Sequence, residues 1–227
     1  LSIRRQRQMC IRDSNSEIPN DDHDDLELDG SLGYFADRAR AIERLLIDKG
    51  ICTAQEIQLQ IDERESRSPA DGARVVAHAW IDSEFKNLLL KEADVALSQL
   101  GYELPDTTPQ LAVVENTSDV HYMVVCTLCS CYPRMLLGRP PDWYKSLEYR
   151  SRAVVDPRGV MREFGLNLPS TTEVRVVDST ADLRYLVLPR RPAGSENLSE
   201  IELARLVTRD SMIGVTEALS PEILSLA

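Results

Sequence analysis

Three cysteines within six positions are the residues of this chain whose types and spacing point most directly to chemistry. The stretch VVCTLCSCYPR (124–134) contains Cys126, Cys129 and Cys131, three of the five cysteines of the chain. Cys-x-x-Cys is half of a zinc site, but tetrahedral zinc needs a second pair of ligands. Elsewhere the chain offers only isolated candidates: Cys52, His78 and His121. A thioredoxin-like redox pair opens a helix after a strand and requires no third cysteine. A chelate around one metal ion uses all three sulfurs.

The Cys-Ser-Cys segment has the geometry that such a chelate needs. If the sulfurs of Cys129 and Cys131 bind one ion, the amide nitrogens of Ser130 and Cys131 lie between them and face the same point. Loss of both amide protons would give a planar set of two sulfurs and two nitrogens, and Cys126 would add an axial thiolate. These strong-field donors favour low-spin Co(III) or Fe(III) over zinc, calcium or magnesium. Such an ion is a Lewis acid with one open position.

The cysteine stretch and four others resemble one known family. VCTLCSCYP is similar to the metal-binding signature of nitrile hydratase alpha subunits. The resemblance extends from about Phe35 to Val215 and includes LGRPPDWYKSLEYRSR, DPRGVMREFGL, LRYLVLPRRPAGSE and LVTRDSMIGV. It therefore covers nearly all of the chain that is expected to be ordered.

The resemblance implies a specific ligand set. It makes Cys126, Cys129 and Cys131 the thiolate ligands, and Ser130 and Cys131 the amide ligands, of a non-corrin Co(III) centre. It also implies that Cys129 is oxidised to a sulfinate and Cys131 to a sulfenate. Thr127 stands where iron-type members have serine, which indicates cobalt, with Fe(III) as the alternative.

The activity implied by the resemblance is the hydration of nitriles to amides. The chain would be an alpha subunit, with Cys129, Ser130 and Cys131 as catalytic residues, and would be active only with a beta subunit. That partner is expected to supply arginines to the oxidised cysteines, in an αβ heterodimer or an (αβ)2 assembly. An activator or metallochaperone is a further expected partner. Three nucleophiles remain open: hydroxide on the metal, water activated by the metal, or the sulfenate oxygen of Cys131.

One position departs from the family pattern. Arg134 follows the Tyr132-Pro133 turn, where many nitrile hydratases have a tryptophan that walls the substrate pocket, so Tyr132 and Arg134 are candidate pocket residues. In this arginine the chain is similar to the gamma subunit of thiocyanate hydrolase, and a guanidinium there would favour a small anion. Arg134 could equally face a partner carboxylate or solvent. The alternative functions are thiocyanate hydrolysis to carbonyl sulfide and ammonia, and non-catalytic metal or redox sensing.

Other side chains have both a functional and a structural interpretation. Those that could approach the metal loop, the substrate channel or the subunit boundary are Trp143, Tyr144, Arg150, Arg152, Asp178 and Asp182. The proposed ion needs no imidazole, and an isolated cysteine is expected to be a buried residue that packs in the core. The residues for which we expect no metal role are therefore His23, His78, His121 and Cys52.

Composition excludes several classes of protein. A net charge of −11 over 227 residues opposes binding to nucleic acid or to anionic membranes. No apolar run approaches the roughly 20 residues that cross a bilayer. An odd, clustered set of cysteines is not a secreted disulfide framework and indicates a reducing cytoplasm. Residues 1–30 are polar and acidic, and we expect a disordered leader whose Arg-rich beginning resembles an artefactual start.

Helices come first and strands later, which is typical of an α+β fold. Capping boxes, proline positions and apolar periodicity predict helices over 31–49, 53–65, from Ser68-Pro69, over 82–100, from Ser146 past Asp156, and over 199–206. Alternating apolar residues predict strands at 111–117 and 121–125 around a turn, and at 173–178 and 183–189 as a hairpin or neighbours.

The predicted domain organisation has three parts after the leader. Residues 31–104 form a helical arm that contacts the partner subunit, residues 105–215 form the catalytic metal-binding domain, and residues 216–227 form a tail. By resemblance to the family, the catalytic domain is layered α-β-β-α and holds the cysteine metal loop.

Overall fold

The computed structural model describes residues 28–105 and 107–225. The chain divides into two compact units, with the boundary between Gln58 and Leu59. The first unit holds helix α1 (Leu28–Asp48) and the beginning of α2 (Ala54–Ser66). Thr53 and Glu56 cap α2 reciprocally, as predicted: the Glu56 amide donates to Thr53 Oγ1 at 3.1 Å and the Thr53 amide to the Glu56 carboxylate at 2.7 Å. Between Gly33 and Gln58 no side chain is buried.

The second unit contains the remaining helices and all strands of the described residues. Its helices are short, since prolines, N-cap residues and glycines punctuate the sequence. They are α3 (Pro69–Ile81), α4 (Ser83–Lys91), α5 (Ala93–Gln99), α6 (Arg134–Leu137), α7 (Asp142–Lys145), α8 (Leu147–Val155), α9 (Pro157–Glu163), α10 (Glu200–Leu206), α11 (Arg209–Ile213) and a 3₁₀ turn, Pro221–Ser225. Within the described ranges, no helix has the length and apolar composition of a membrane span.

Four strands form two parallel pairs. β1 (Gln110–Glu115) pairs with β4 (Leu183–Leu188), and β2 (Val120–Val125) pairs with β3 (Glu173–Asp178). Parallel partners need long crossovers, which here carry helices α6 to α9 between β2 and β3. The register places Val125 opposite Asp178 at the carboxyl end of the β2–β3 pair.

Helices cover both outer faces of the paired strands. Helices α4 and α5 pack against β1, while α8 packs against β2 and α9 against β3. The two strand pairs contact each other through β2 with β1 and β4. The second unit is therefore layered α-β-β-α, which confirms the predicted α+β fold. Its core is a continuous cluster that includes Val75, Leu89, Met123, Leu136 and Leu186.

The amino end of β2 is fastened to the turn after α11. The imidazole of His121, 2% exposed, donates from Nε2 to the Gly214 carbonyl at 2.8 Å and accepts at Nδ1 from the Asn116 amide at 3.1 Å. Gly214 has a φ of 86°, and a Cβ there would collide with the carbonyl of Tyr122. Glycine is required because the backbone is left-handed and the strand passes close by. His121 is structural, as predicted.

Several predicted elements need correction. Helix α1 begins at Leu28, so the predicted leader loses its last residues, and residues 1–27 lie outside the described part. The predicted helix 82–100 is two helices because the backbone leaves the helical region at Glu92. The helix from Ser146 likewise ends before Asp156, which caps α9 by accepting from the Gly159 amide. The prediction that β3 and β4 form a hairpin or lie as neighbouring strands is wrong: each strand pairs with an earlier one.

The predicted domain boundaries also differ from the compact units. The division lies at 58/59 rather than 104/105, because α3, α4 and α5 pack into the core of the strand-containing unit. The predicted tail, 216–227, is partly packed: Leu219 and Leu224 lie against Ala77, Leu203 and Leu206. That residues of the predicted arm contact a partner subunit stays a prediction.

Candidate metal centre

The cysteine loop begins where β2 ends. β2 is buried along its last residues, Met123 to Val125, and so delivers Cys126 into the interior with an exposed fraction of 1%. The loop then turns outward through exposed Leu128, Cys129 and Ser130, and returns at Cys131, which is buried, before α6 begins. A rigid strand on one side and a helix on the other therefore fix the ends of a short exposed turn.

The three sulfurs meet at one point. The Sγ atoms of Cys126 and Cys129 are 3.4 Å apart, and those of Cys129 and Cys131 are 3.2 Å apart. All three lie within 4.8 Å of one another. The Cys129 amide also points into the cluster and donates to Cys126 Sγ at 3.3 Å. The three cysteines that the sequence predicts as one site are brought together.

The surroundings of the sulfurs shift the pKa values of Cys129 and Cys131 in opposite directions. The pKa of Cys129 is lowered, chiefly by the hydrogen bond from the Cys131 thiol, and also by hydrogen bonds from the Cys126 side chain and from the backbone amides of Ser130 and Cys131. Burial raises the pKa of Cys131 to about 12, and its hydrogen bond with Cys129 adds to the increase. Of these two thiols, Cys129 is therefore the one that ionises more readily.

Asp178 anchors the first half of the loop. Its carboxylate accepts from the Thr127 amide at 3.0 Å and from the Thr127 hydroxyl at 2.6 Å. Asp178 is the last residue of β3 and lies opposite Val125, so the strand pairing places it beside the start of the loop. Arg150 on α8 approaches the same segment, with Nη1 at 3.5 Å from the Thr127 carbonyl. Two interpretations were predicted for Asp178 and for Arg150, one facing the loop and one without a role there. Both side chains contact the loop at Thr127.

An aromatic cluster supports the second half of the loop. The Tyr144 hydroxyl, in a fully buried side chain, donates to the Cys131 carbonyl at 2.8 Å. Tyr132 packs edge-on against Tyr144, with 5.1 Å between ring centroids. The neighbouring Tyr149 donates to the Val124 carbonyl of β2 at 2.6 Å. Tyr144 is thus a core anchor, which is one of the two roles predicted for it, and it also holds the main chain at a candidate ligand.

The donor set fits a metal ion held by sulfur and main-chain nitrogen. Within the described ranges, the three cysteines are the group of cysteine, histidine and acidic side chains that converges closely enough to hold an ion. His78 lies elsewhere and contacts Glu200 at 3.1 Å. Neither His78 nor His121 joins the cluster, so the second pair that a zinc site needs is not contributed by these histidines. Three thiolates with two amides suit a low-spin trivalent ion.

Some buried polar side-chain atoms lack a hydrogen-bond partner within the described residues. In the described part of the chain, three side-chain atoms are buried and lack a hydrogen-bond partner: Tyr132 Oη, Arg184 Nη1 and Arg209 Nε. The charge of Arg184 lowers the pKa of Cys131, and that of Arg209 lowers the pKa of Tyr132, in both cases against a larger increase from burial. Sequence reasoning missed Arg184 and Arg209, although arginines inside otherwise apolar segments, LRYLVL and LVTRDSM, are a signal that could have identified them.

The remaining predicted residues bond to other groups, pack in the core or lie at the surface. Arg152 forms an ion pair with Glu163 rather than bonding to the loop. Arg134 and Asp182 are exposed, whereas Tyr132 is 2% exposed and so presents little surface to a ligand. Trp143 packs against Tyr149 and Phe164 as a core anchor. The half-buried Cys52 belongs to the first unit and is distant in sequence from the cysteine loop. His23 lies outside the described residues.

A cavity lies away from the cysteines. It has a volume of about 140 Å³ and opens at the amino end of β2, with Asn116, His121, Thr172, Arg190 and Glu217 among its lining residues. The sulfurs are at the carboxyl end of the same strand, so this cavity is not part of the candidate metal centre.

Comparison with known proteins finds relatives that match most of the described chain. Residues 33–216 match the family model "Nitrile hydratase, alpha chain". The chain is 49% identical over 187 residues to the high-molecular weight cobalt-containing nitrile hydratase subunit alpha of Rhodococcus rhodochrous, covering 82% of this chain and 92% of that one. It is 40% identical over 185 residues to the thiocyanate hydrolase subunit gamma of Thiobacillus thioparus, covering 77% and 76%.

A solved structure agrees with the sequence relationship. The fold is similar to a double mutant of the Fe-type nitrile hydratase from Comamonas testosteroni Ni1, with a TM-score of 0.76 and 42% identity. The match covers 83% of this chain and 92% of that chain. The layered fold is therefore a feature that this chain shares with a structurally known group.

Proposed function

The chain belongs to the nitrile hydratase alpha-chain family, and from this premise we propose that it is the metal-bearing subunit of a cobalt nitrile hydratase. Together with a beta subunit it hydrates nitriles to amides. The observation that supports this proposal most strongly is the convergence of the sulfurs of Cys126, Cys129 and Cys131 within 4.8 Å, at the end of a buried strand.

The proposed ligands are the three sulfurs and the amide nitrogens of Ser130 and Cys131. The lowered pKa of Cys129, to which the backbone amides of Ser130 and Cys131 contribute, supports this set. We propose non-corrin, low-spin Co(III) as the ion, since relatives at 47–50% identity are named cobalt-containing enzymes. Fe(III) is the alternative, consistent with the Fe-type structural neighbour.

When bound, the ion supplies Lewis acidity that makes a nitrile carbon electrophilic or a water acidic. The chain itself positions the ligands: Asp178 holds the loop through Thr127, and Tyr144 holds the carbonyl of Cys131. Cys126 and Cys131 are shielded from water by burial, while Cys129 faces outward. The exposed side of the loop is therefore the side from which substrate approaches. We propose that Cys129 is oxidised to a sulfinate and Cys131 to a sulfenate.

A beta subunit completes the site in this proposal. Leu128, at the tip of the loop, is an apolar side chain that is 77% exposed. A partner subunit would cover it. Helix α1 similarly exposes Tyr34, Phe35, Ile42 and Leu45. We propose that the arm and the loop face contact the beta subunit in an αβ or (αβ)2 assembly, that its arginines bond to the oxidised cysteines, and that a metallochaperone loads the ion. We place the enzyme in the cytoplasm, where its thiols stay reduced until loading.

A second candidate function is thiocyanate hydrolysis. The exposed side chain of Arg134, at the start of α6 and two residues beyond Tyr132, favours it because a cation on this face would attract a small anion. The relationship to the thiocyanate hydrolase gamma subunit supports the same function. Cobalt relatives of higher identity favour nitrile hydration.

The test is an activity assay on the chain produced together with its beta partner in medium containing cobalt. The assay offers an aliphatic nitrile, an aromatic nitrile and thiocyanate, and metal is analysed in the same sample. Amide formation with cobalt bound supports nitrile hydration, and release of ammonia from thiocyanate alone supports the second candidate. A complex that binds cobalt but converts none of the three would be a sensing module instead.

A further inference from the structure

The cavity at the amino end of β2 takes no part in the proposed chemistry, yet it has the features of a small-molecule site. Its volume is about 140 Å³. A protein cavity of about 150 Å³ holds a molecule the size of benzene, so this one has room for a small organic molecule. It lies where β1 and β4 both end: the Asn116 amide, just after β1, donates to the carbonyl of Leu188, the last residue of β4, at 3.0 Å. Ligands of parallel sheets commonly bind at such carboxyl ends.

Hydrogen bonds hold the lining of the cavity in place. The buried side chain of Asn116 is fixed by the Tyr122 amide, which donates to its Oδ1 at 2.7 Å. Arg158 donates to the carbonyls of Leu168 and Pro169 at 3.3 and 3.2 Å, and so holds the loop that forms one wall. The apolar side chains of the lining are Leu166, Leu168, Pro169 and Pro189. A preformed cavity with apolar walls and a few polar groups is the usual form of a small-molecule site.

An ion pair at the edge of the cavity supplies the polar groups that would orient a ligand. Arg190 follows β4 and Glu217 follows α11, and both side chains line the cavity. They are joined by a contact of 3.0 Å between Nη2 and Oε1, and about half of each side chain is exposed. A guanidinium has five N–H donors and a carboxylate has two oxygens. Within the described residues this contact is the one hydrogen bond of either side chain, so donors of Arg190 and Oε2 of Glu217 remain for a ligand.

The pair favours a neutral ligand over an ion. Glu217 repels an anion that approaches Arg190, and Arg190 repels a cation that approaches Glu217. A donor and an acceptor side by side are complementary to a group that itself has an acceptor beside a donor. The primary carboxamide is such a group, because its carbonyl oxygen and its NH2 group are attached to the same carbon.

We propose that this cavity is a second binding site of the chain, for a small aliphatic carboxamide. The amide oxygen accepts from the guanidinium of Arg190, and the amide NH2 group donates to Glu217. The short alkyl chain lies against the apolar wall that includes Leu166, Leu168 and Pro189. This inference goes beyond the proposed function, which needs only the cysteine loop. One consequence rests on that function: a complex that hydrates aliphatic nitriles makes ligands of this class as its own product.

The test is ligand-detected NMR on the cobalt-loaded complex of this chain with its beta partner. Saturation transfer from the protein to the methyl protons of propionamide is measured over a concentration series, which gives a dissociation constant. Propionate is the comparison ligand that is charged and has no NH2 group, and butanone is the neutral one that keeps only the carbonyl. A crystal structure of the complex soaked in propionamide shows where the molecule lies.

The variants remove one partner of the ligand at a time. Arg190→Met and Glu217→Met change side chains that are half exposed, where substitutions usually have small effects on stability. Arg152→Met and Glu163→Met are the matched controls, because Arg152 and Glu163 form an exposed ion pair of the same kind that does not line the cavity. Each variant is also assayed for nitrile hydration, since neither pair belongs to the metal centre.

We expect propionamide in the crystal at Arg190 and Glu217. Arg190→Met and Glu217→Met should each bind it several-fold to about tenfold more weakly, as the loss of one net hydrogen bond predicts. The two control variants should bind as the wild type does, and propionate and butanone should bind more weakly than propionamide. Equal binding by the wild type and both cavity variants would overturn the inference. Tighter binding of propionate, which would indicate an anion site, would also overturn it, as would propionamide found at the metal centre alone.

Nitrile hydration by the same complex separates this inference from the proposed function. If the complex hydrates nitriles while both cavity variants bind propionamide as the wild type does, only the inference fails. If the complex hydrates no nitrile but binds propionamide in the cavity, only the proposed function fails.

Discussion

The carboxylate of Asp178 holds Thr127 by two hydrogen bonds, from the amide at 3.0 Å and from the hydroxyl at 2.6 Å. Asp178 ends β3, and Thr127 is the residue between Cys126 and the exposed tip of the loop. The pair therefore transmits the rigidity of the strand pair to the loop that gathers the sulfurs. Supporting residues of this kind fix the orientation of ligands that they do not replace.

Replacing Asp178 with Asn should weaken the centre without removing a ligand. The asparagine side chain keeps one acceptor oxygen. Its NH2 group is a donor, so it cannot accept the second hydrogen bond from Thr127. We expect about tenfold lower cobalt retention and a comparable loss of nitrile hydration, measured by metal analysis and initial rates of the complex. Asp182→Asn is the control, since Asp182 is exposed and its carbonyl, not its carboxylate, bonds to Gln110. Equal behaviour of the two variants would contradict this role of Asp178.

Replacing Thr127 with Ser should leave the identity of the metal unchanged. The serine hydroxyl can make the same hydrogen bond to Asp178, and the Thr127 side chain is not among the proposed ligands. Thr127→Val, which keeps the shape but lacks the hydroxyl, should lower metal retention as a matched comparison. Elemental analysis of complexes grown with both cobalt and iron checks this. A change from cobalt to iron in Thr127→Ser would show that this methyl group selects the metal.

Replacing Tyr144 with Phe should disturb the loop as well as the core. The Cys131 carbonyl would lose the hydrogen bond from Tyr144, and an unmet buried acceptor costs about 1–3 kcal/mol of unfolding free energy. Tyr149→Phe removes a comparable bond, but to Val124 of β2. Both variants should unfold at lower denaturant, while Tyr144→Phe should also shift the sulfur-to-cobalt absorption. An unchanged spectrum in Tyr144→Phe would separate Tyr144 from the centre.

Acidification should destabilise the protein through His121. Burial lowers the pKa of this imidazole below its usual 6.5. Above about pH 6.5 neither the folded nor the unfolded state binds the proton. Below this value the unfolded state takes up a proton that the folded state refuses, so the free energy of unfolding falls as the pH falls.

Denaturant unfolding over a pH series measures this effect. His121→Gln keeps a polar side chain but cannot titrate, so its free energy of unfolding should vary less with pH below about 6.5 than that of the wild type. Charges that reach His121 from neighbouring elements are Glu217, Arg190 and Arg158, and they are unchanged in the variant. Parallel curves for wild type and variant in this range would show that His121 is not the responsible group.

The grouping of the three cysteines and most elements could be predicted from the sequence because both depend on local patterns. Cys126, Cys129 and Cys131 are neighbours along the chain, so a short loop brings them together in almost any fold. Capping residues such as Thr53 with Glu56 and Ser199 with Glu202 act over three positions, and both boxes form. The beginnings of α2 and α10 were therefore predictable.

The strand pairing and the supporting residues depend on distant contacts and were not predictable from local pattern. Alternation in 173–178 and 183–189 shows two strands, but it does not show that β3 joins β2 and β4 joins β1 across long crossovers. That pairing is what places Asp178 at Thr127, 51 positions away in the chain. The residues that support the loop thus follow from topology, whereas the residues that form it follow from spacing.

X-ray absorption at the cobalt edge of the purified complex reports which atoms surround the ion. We expect cobalt bound by the sulfurs of Cys126, Cys129 and Cys131 and by two light atoms at the distance of amide nitrogen, with the sulfur signal diminished in Cys131→Ala. Cobalt surrounded by nitrogen and oxygen alone, or zinc in its place, would contradict it.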